Sequence, residues 1–446
     1  MGLNVKIRKG VDIKLIGAAE QKSSPTSTTT VALKPADFHN LIPKLVVKQG
    51  DAVKAGSPLF YDKEHPEVQY VSPVSGEVAD VIRGAKRRIL EVRVLADKES
   101  TFETHDVSGV ANMDAEGVKA LLLKSGHWPL IKQRPFDIVA KPDQNPKAIF
   151  VSAFDSAPLA PDYNFILKDR AEDLQTGIDA LSKLTTGKVN VSTRNEAGVF
   201  GGLKNCEKHT VTGPHPSGNA GVQIHHINPV NKGEVVWVVN AQDLAAMGSF
   251  LRTGKIENTR TVALTGGEVK APQYFNVVLG ASIDSIVKGN ISDNKVRVIS
   301  GNVLSGTRVE TDGYLGFYNH QISVIPEDNE AEFFGWLMPG FDRFSLSRTF
   351  FSWLMPGKKY NMGTSYHGEE RAFVMTGQYE TVFPMDIYPV QLVKSMIIKD
   401  IDQMENLGIY EVAPEDFALC EFACTSKIDV QSVVREGLDL IQTECG

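Results

Sequence analysis

The stretch VKQGDAVKAGSPLFYDKEHPEVQYVSPVSGEVADVIRG, residues 47–84, decides how the first part of the chain folds. Short apolar runs alternate there with turn residues, first at Gly50 and Gly56 and then at Ser72 and Gly76. Glycine adopts the positive φ that tight turns need, and Asp, Ser and Pro favour turns by bonding to the backbone or fixing it. Several short strands at this spacing predict a small β-sandwich.

The same stretch resembles the barrel-sandwich hybrid of biotinyl and lipoyl carrier domains. The shared pattern is V-x-x-G-D-x-V-x-x-G-x-x-L, followed by S-P-x-x-G-x-V. Such carriers present a modifiable Lys at a hairpin tip. Here the tip is residues 62–66, with Pro66 near the expected Lys position and Lys63 offset from it. An exposed tip is the usual place for a solvated Lys. We therefore predict the carrier fold without the carrier chemistry, with a lipoyl or biotinyl carrier as an alternative.

Length and composition limit the class of protein. A chain of 446 residues exceeds what a single core holds, so several domains are expected. The net charge of -7 argues against a nucleic-acid surface. No run of about 18 apolar residues is present to span a bilayer, and the N-terminus lacks the apolar segment of a secretory signal. Four Cys are too few for a disulfide scaffold, which favours a reduced, cytoplasmic compartment.

Residues 109–257 are predicted to form a Rossmann-like, doubly wound α/β domain. Asp114 is a candidate helix N-cap, and Gly126 is a candidate stop for the same helix. The apolar run at residues 148–153 fits a buried parallel strand, and helical spacing follows at residues 169–184. Strands that alternate with helices indicate a parallel sheet covered on both faces.

The remaining chain divides into three further predicted domains: residues 1–108 as the barrel-sandwich hybrid, residues 258–328 as a β-grasp domain of the soluble-ligand-binding (SLBB-like) type, and residues 329–446 as a C-terminal region ending in helices. The fold class is thus multidomain α/β and α+β. Within the first domain, residues 4–18 are predicted to be an edge strand and turn, and the polar residues 21–30 a loop.

A pentapeptide repeats in the C-terminal region. Trp336-Leu337-Met338-Pro339-Gly340 recurs as Trp353-Leu354-Met355-Pro356-Gly357. One repeated copy is too little for a solenoid. We therefore predict two turns, each with a packed Trp.

Several stretches together resemble the NqrA family, whose members are subunits of the sodium-translocating NADH:quinone oxidoreductase, and the resemblance covers essentially the whole chain. Each stretch alone is weak evidence, and together they are specific. They are Ser72–Gly76, Arg83–Arg87, Leu184–Lys188, Gly213–Gly218, Ile299–Gly306 and Phe334–Gly340.

The resemblance implies a peripheral subunit on the cytoplasmic face of the bacterial inner membrane. Its partners would be the other members of a six-subunit complex, among them integral membrane subunits. That complex uses NADH, flavins, iron–sulfur centres and a quinone, either ubiquinone or menaquinone, and exports sodium ions. The subunit is similar in architecture to the FMN-carrying subunit of complex I.

The nucleotide site of those relatives is not retained in this sequence. They use a Gly-rich loop after the helix predicted at residues 114–125, because glycines let the backbone approach phosphates. Here the loop reads SGHWPLIKQRPFDIV, with one Gly and several bulky side chains. We therefore predict that the chain binds neither FMN nor NADH.

The relatives also hold an iron–sulfur cluster, and the matching stretch here is ALCEFACTSK at residues 418–427. Cys420 and Cys424 stand at i, i+4, which places two thiols on one face of a helix. A cluster or a zinc ion needs about four ligands. We predict a vestigial, metal-free pair, and no cofactor in this subunit.

Quinone binding is the remaining candidate chemistry, and it needs an apolar slot with one or two hydrogen-bond donors. Two clusters have suitable residue types. One is His127, Trp128, Arg134 and Phe136; the other is Gly213, Pro214, His215 and Ser217. His225 and His226, if on a strand, would point to opposite faces. The alternative for each cluster is a packed loop whose His and Arg are internally satisfied.

The sequence therefore favours a cofactor-free subunit of a redox-driven sodium pump that serves in assembly, with quinone as a candidate ligand. No residue is a candidate catalytic acid or base. The alternative from another class is a free-standing FMN/NADH diaphorase.

Overall fold

A computed structural model describes residues 2–194, 197–256, 258–328, 334–335 and 337–445. A β-sandwich, an α/β layer, a β-grasp sheet and a helical region follow one another along the chain. This is the predicted multidomain α/β and α+β arrangement. Across the described ranges, every helix falls short of the length and hydropathy that a bilayer span requires.

The N-terminal segment supplies edge strands to two distant sheets. Strand β1 (Asn4–Lys6) pairs in parallel with residues 210–212, and β2 (Glu20–Pro25) pairs in parallel with residues 273–276. The predicted loop at residues 21–30 is therefore wrong at its start. An edge strand is stabilised through its backbone, and its exposed side chains need no apolar alternation. The predicted domain boundaries stay a prediction, but β1 and β2 complete sheets of the second and third segments.

The sandwich consists of two antiparallel sheets, in the orders β3-β9-β8-β5 and β4-β6-β7. At Gly76 a Cβ atom would lie 1.8 Å from the carbonyl oxygen of Leu95, so the close approach of β8 to β9 at this position requires glycine. Lys63 is exposed at the hairpin tip. The strands are β3 (Thr30–Leu33), β4 (Pro43–Leu45), β5 (Ala52–Val53), β6 (Pro58–Asp62), β7 (Gln69–Val71), β8 (Gly76–Arg83) and β9 (Ile89–Ala96).

The α/β domain has a mixed sheet in the order β1-β14-β13-β12-β15-β10-β11, with a parallel centre and an antiparallel edge at β10 and β11. Its strands are β10 (Ile131–Arg134), β11 (Ile138–Val139), β12 (Ala148–Ser152), β13 (Val189–Thr193), β14 (Glu207–Thr212) and β15 (Val236–Asn240). Its helices are α1 (Ala115–Lys124), α2 (Tyr163–Ile166), α3 (Ala171–Lys183), α4 (Ala220–Ile227) and α5 (Ala241–Thr253). The predicted cap is confirmed, since Asp114 Oδ1 accepts from the Gly117 N–H at 2.8 Å.

The β-grasp sheet runs in the order β19-β18-β20-β16-β17-β2, and one short helix packs against its core. The order includes β2 from the start of the chain as one edge. The elements are β16 (Thr259–Thr265), β17 (Gln273–Val278), α6 (Asp284–Val287), β18 (Val296–Ser300), β19 (Thr307–Val309) and β20 (Gln321–Pro326).

The C-terminal helices enclose a core of their own, which the N-terminal segment completes through Ile7, Ile13 and Leu15. The helices are α7 (Gln378–Val382), α8 (Pro389–Ile397), α9 (Ile401–Asn406), α10 (Ala418–Ala423) and α11 (Val430–Cys445). Short 3-10 turns connect elements along the chain, at Pro35–Asp37, Ala85–Arg87, Val110–Asn112, Trp128–Leu130, Gly198–Gly202, Phe351–Leu354, Ile409–Glu411 and Pro414–Phe417.

The pentapeptide repeat forms turns, as predicted, but the prediction of a packed Trp is wrong for the second copy. The Trp353 side chain is 49% exposed, because the 3-10 turn Phe351–Leu354 projects it outward. Trp336 of the first copy lies outside the described residues.

Candidate functional site

A cleft lies at the carboxyl ends of β12 and β15, two parallel strands at the centre of the α/β sheet. The chain leaves β12 toward β13 on one side, whereas β15 pairs with β12 on the other side. Open α/β sheets bind ligands in the crevice where strand order reverses in this way. The cleft has a volume of about 210 Å³ and is open to solvent, and its walls include Ser152, Asp155 and Asn240.

Each of the two predicted clusters contributes to this one cleft. Arg134, at the end of β10, and His215, in the loop after β14, both line its walls. The structure thus brings together two residues that the sequence placed in separate candidate sites. Apolar and aromatic side chains complete the walls: Leu130, Phe154, Val238, Leu304 and Tyr318.

His215 combines a fixed ring with one unpartnered nitrogen. Its Nδ1 lies 3.1 Å from Ser156 Oγ, and that oxygen also accepts from the Gly218 N–H at 2.7 Å. The Ser156 hydroxyl can donate to Nδ1, and in that tautomer the ring proton is on Nε2. Among the described residues, His215 Nε2 has no hydrogen-bond partner. Burial lowers the pKa of His215 to about 4, so the ring is neutral at physiological pH.

Hydrogen bonds to backbone carbonyls fix the loop that carries His215. The Gly213 carbonyl accepts from Arg194 Nη2 at 3.0 Å and from Ser217 Oγ at 3.1 Å. The Pro214 carbonyl accepts from the Ser217 N–H at 2.9 Å. Gly213 has a φ of +132°, and a Cβ there would lie 2.4 Å from the Ile7 carbonyl oxygen. Gly213, Pro214 and Ser217 therefore position His215.

Arg134 ties the cleft wall to the C-terminal region. Its Nη1 lies 2.6 Å from Asp416 Oδ2, and its Nη2 lies 2.6 Å from Glu415 Oε1. Burial alone would lower the pKa of Arg134, but the two carboxylates raise it above its usual value. Both terminal nitrogens are thus engaged in ion pairs, and Arg134 contributes to the wall as a fixed charge.

The other three residues of the first cluster are packed. The His127 ring stacks on Phe250 at 4.5 Å between centroids, and its Nδ1 lies 3.0 Å from Ser125 Oγ. Burial, and to a lesser extent His105, lowers the pKa of His127 to about 3. Trp128 is fully buried and donates from Nε1 to the Ala140 carbonyl at 2.7 Å.

Phe136 lies beside the C-terminal region. Its carbonyl accepts from Arg435 Nη1 at 2.6 Å, and its ring meets Tyr410 edge-on at 6.4 Å. Its φ of +81° belongs to the left-handed region that favours glycine. Phe136 thus takes part in the same junction between domains as Arg134.

Sequence reasoning missed three polar residues in and behind the cleft. Asn240 Nδ2 donates to the Tyr163 hydroxyl at 2.8 Å, and that hydroxyl lies 3.2 Å from His320 Nδ1. Asn240 and Tyr163 line the cleft, whereas His320 lies behind them in the β-grasp domain. Asn240 ends β15, a parallel strand, and ligands bind at the carboxyl ends of such strands.

His225 and His226 lie on helix α4, so their conditional placement on a strand is wrong. Val222 and Ile224 of α4 are both buried, Val222 in the core of the C-terminal helices and Ile224 against Ala148 and Phe150 of β12. His225 Nδ1 lies 2.7 Å from Glu411 Oε2, and His225 Nε2 accepts from the Asp386 N–H at 2.9 Å. His225 therefore joins the α/β domain to the C-terminal region.

The cysteine pair is buried at the end of α10. Cys420 lies inside the helix, and Cys424 immediately follows its last residue. Burial raises the pKa of the Cys420 thiol well above its usual value, which disfavours the thiolate that binds metals. Within the described part of the chain, no group of three or more His, Cys, Asp or Glu side chains is placed to hold a metal ion.

Comparison with known families matches the three sheet domains separately. Residues 5–97 match the NqrA N-terminal barrel-sandwich hybrid domain, residues 113–256 the NqrA second alpha/beta domain, and residues 261–311 the NQRA C-terminal domain. A relative from Rhodopirellula baltica, named as the A subunit of the Na(+)-translocating NADH-quinone reductase, is 40% identical, and the match covers 98% of each chain. The chain belongs to the NqrA family.

Other NqrA proteins show similar identity. Those from Vibrio atlanticus and Neisseria meningitidis serogroup B are each 38% identical, with 99% of this chain and 100% of the relative covered. Members of the NqrA family are subunits of an oxidoreductase complex, as their names state. The matches confirm the predicted family and the predicted fold class.

Solved structures of an NAD+-reducing [NiFe]-hydrogenase are more distant. The air-oxidised form is 12% identical with a TM-score of 0.39, and the H2-reduced form is 13% identical with a TM-score of 0.41. Each match covers 77% of this chain and 67% of the hydrogenase chain.

Removal of the Arg134 charge is expected to destabilise the protein strongly. Arg134→Ala leaves Asp416 as a buried, uncompensated carboxylate, and breaking such a pair costs about 3–5 kcal/mol. Urea unfolding, followed by circular dichroism, measures this loss. Arg308→Ala is the control, because its ion pair with Glu310 is exposed and contributes at most about 1 kcal/mol. Equal losses in the two variants would contradict a structural role for Arg134.

The buried histidines are expected to make stability depend on pH. The unfolded His127 takes up a proton below its ordinary pKa of 6.5, whereas the folded ring stays neutral down to about 3. Stability is therefore full above that ordinary pKa and falls as the pH drops toward the folded pKa. By about pH 5 the loss for one such histidine is about 2 kcal/mol. His127→Asn should remove this part of the pH dependence in urea unfolding, and His367→Asn, which changes an exposed side chain, should not.

Proposed function

We propose that this chain is a peripheral subunit on the cytoplasmic face of a Na+-translocating NADH-quinone reductase, and that its cleft binds the quinone headgroup. Full-length relatives named after that reductase support the assignment to the complex. Electron transfer from NADH to ubiquinone or menaquinone, and its coupling to Na+ export, belong to the assembled complex. Its other subunits, integral membrane subunits among them, are the partners of this chain.

The observation that carries the quinone assignment is the His215 ring in the wall of a cleft that has apolar and aromatic side chains beside polar ones. A quinone headgroup is a flat, apolar ring whose two carbonyl oxygens only accept hydrogen bonds. Such a ligand needs an apolar or aromatic slot and one or two donors. Phe154, Leu304 and Tyr318 supply apolar and aromatic wall. His215 Nε2 is a buried atom without a protein partner among the described residues, and it can donate to a ligand when it carries the ring proton.

Tyr163 supplies a complementary group for the reduced ligand. Its oxygen accepts from Asn240 Nδ2 and lies 3.2 Å from His320 Nδ1, to which the hydroxyl can donate. One lone pair of the Tyr163 oxygen remains to accept from a ligand hydroxyl. The cleft thus offers a donor to the quinone carbonyl and an acceptor to the quinol hydroxyl.

The same proposal assigns no flavin, NADH or iron–sulfur centre to this chain. The segment after α1, where relatives of complex I bind a nucleotide, is filled with side chains here. Trp128 packs edge-on against Trp237 at 5.3 Å, and a Cβ at Gly126 would lie 2.5 Å from Val71 side-chain atoms. This close packing supports a structural use of the segment. A stoichiometric flavin band in the absorbance spectrum of the purified chain would contradict the proposal and favour a diaphorase.

His215→Leu is expected to weaken binding of a short-chain ubiquinone about three- to tenfold, because the variant loses one hydrogen bond to the carbonyl. Binding is measured by NMR titration of the full chain. His226→Leu, a change of similar size on α4 outside the cleft wall, should leave the dissociation constant unchanged. A wild-type chain without a saturable response, or equal effects in the two variants, would remove His215 as the ligand donor.

A further inference from the structure

The two pentapeptide copies form one exposed surface, here called the aromatic–basic platform and defined as residues 337–341 and 348–359. The Phe351 N–H donates to the Pro339 carbonyl at 2.9 Å, and the rings of Phe341 and Phe351 meet edge-on at 5.9 Å. The repeated segments therefore pack on each other, and their exposed side chains belong to a single patch.

Large apolar side chains of the platform point away from the protein. Leu337 and Met338 of the first copy are 62% and 60% exposed, and Leu354 of the second copy is 56% exposed. Phe341, Phe351 and Trp353 are exposed beside them. A contiguous patch of this kind marks an interaction surface rather than an ordinary scatter of apolar residues.

The base of the platform is anchored, so the exposure is built into the fold. Phe344 lies between the two segments and meets both Tyr360 and Phe422 at 5.7 Å. Lys14 Nζ donates to the Pro356 carbonyl at 2.8 Å, and Tyr360 bonds through its backbone to Lys14 and Ile16. The apolar tips are therefore held outward on a base that packs into the C-terminal core.

The charge of the platform is opposite to that of the whole chain. Residues 337–341 and 348–359 contain Arg348, Lys358 and Lys359 and no acid, in a chain of net charge -7. Lys358 pairs with Asp342, and the Arg348 guanidinium lies 5.9 Å from the centre of the Trp353 ring. Basic groups thus surround the aromatic tips.

We propose that the aromatic–basic platform binds the surface of a phospholipid bilayer that contains anionic lipids. Trp, Phe and Leu side chains enter the interfacial region of a bilayer, where amphipathic rings are favoured. Arg and Lys beside them pair with anionic headgroups, and each such group contributes about fivefold in affinity. The excess of basic over acidic side chains around the aromatic tips distinguishes a lipid surface from a neutral apolar protein groove. The platform shares no residue with the cleft walls, so lipid binding and quinone binding can fail independently.

The test is co-sedimentation of the full chain with vesicles of phosphatidylcholine alone or mixed with phosphatidylglycerol. The chain should bind the mixed vesicles, and high salt should weaken that binding. Arg348→Gln with Lys359→Gln should weaken it about thirtyfold, since two basic groups are lost. Trp353→Ser with Leu354→Ser should also weaken it. Ile398→Ser, which removes an apolar side chain 69% exposed at the end of α8, is the matched control and should bind like the wild type.

All of the changed side chains are exposed, so the variants are expected to unfold at the same midpoint as the wild type. Equal midpoints exclude misfolding as the cause of weaker binding. A wild-type chain that stays in solution with the mixed vesicles would overturn the proposal. So would platform variants that bind vesicles normally but fail to assemble with membrane subunits, which would identify the platform as a protein-docking surface.

Discussion

The Arg134 guanidinium lies almost fully buried between elements that are 282 residues apart in sequence, at the end of β10 and in the turn before α10. Asp416 holds it from one side and caps its own turn by accepting from the Ala413 N–H at 2.9 Å. Gly221 of α4 faces both groups, and a Cβ there would lie 2.3 Å from Asp416 Oδ2. One ion pair therefore joins the sheet, a helix beside the cleft and the C-terminal region. Buried pairs contribute little net stability compared with apolar packing. The Arg134–Asp416 pair instead fixes the position of the C-terminal helices relative to the α/β sheet.

That junction determines the form of the cleft. Glu415 and Ala418 of the C-terminal region, and Leu304 of the β-grasp domain, stand opposite the ends of the central strands. The α/β sheet alone would present an open edge with a few polar side chains. The docked domains convert the edge into a walled site whose His215 and Tyr163 rings are held by neighbours from three segments of the chain. The chemistry proposed for the cleft is thus a property of the assembled domains.

Local features were predictable from sequence because they depend on near neighbours. The Asp114 cap and the apolar strand at residues 148–153 follow from patterns a few residues long. Strand β2 was missed because an edge strand is selected by its partner, not by its own side chains. Arg134 and His215 line one cleft, and Tyr163 contacts His320, because separate domains dock on each other. No local sequence pattern encodes how the domains dock. Trp353 was expected to be packed because large aromatic side chains usually are, but the 3-10 turn that carries it leaves it 49% exposed.

The two N-terminal strands also bear on the order in which the protein folds during synthesis. Strand β1 completes the sheet through residues 210–212, and β2 completes the β-grasp sheet through residues 273–276. Strands β1 and β2 therefore pair with strands that are synthesised much later. Domains generally fold as units from the N-terminus, and contacts distant in sequence form slowly. In this chain the sandwich can close early, whereas β1 waits for residues 210–212 and β2 waits for the β-grasp domain. The two strands that precede the sandwich are thus among the last parts to reach their final place.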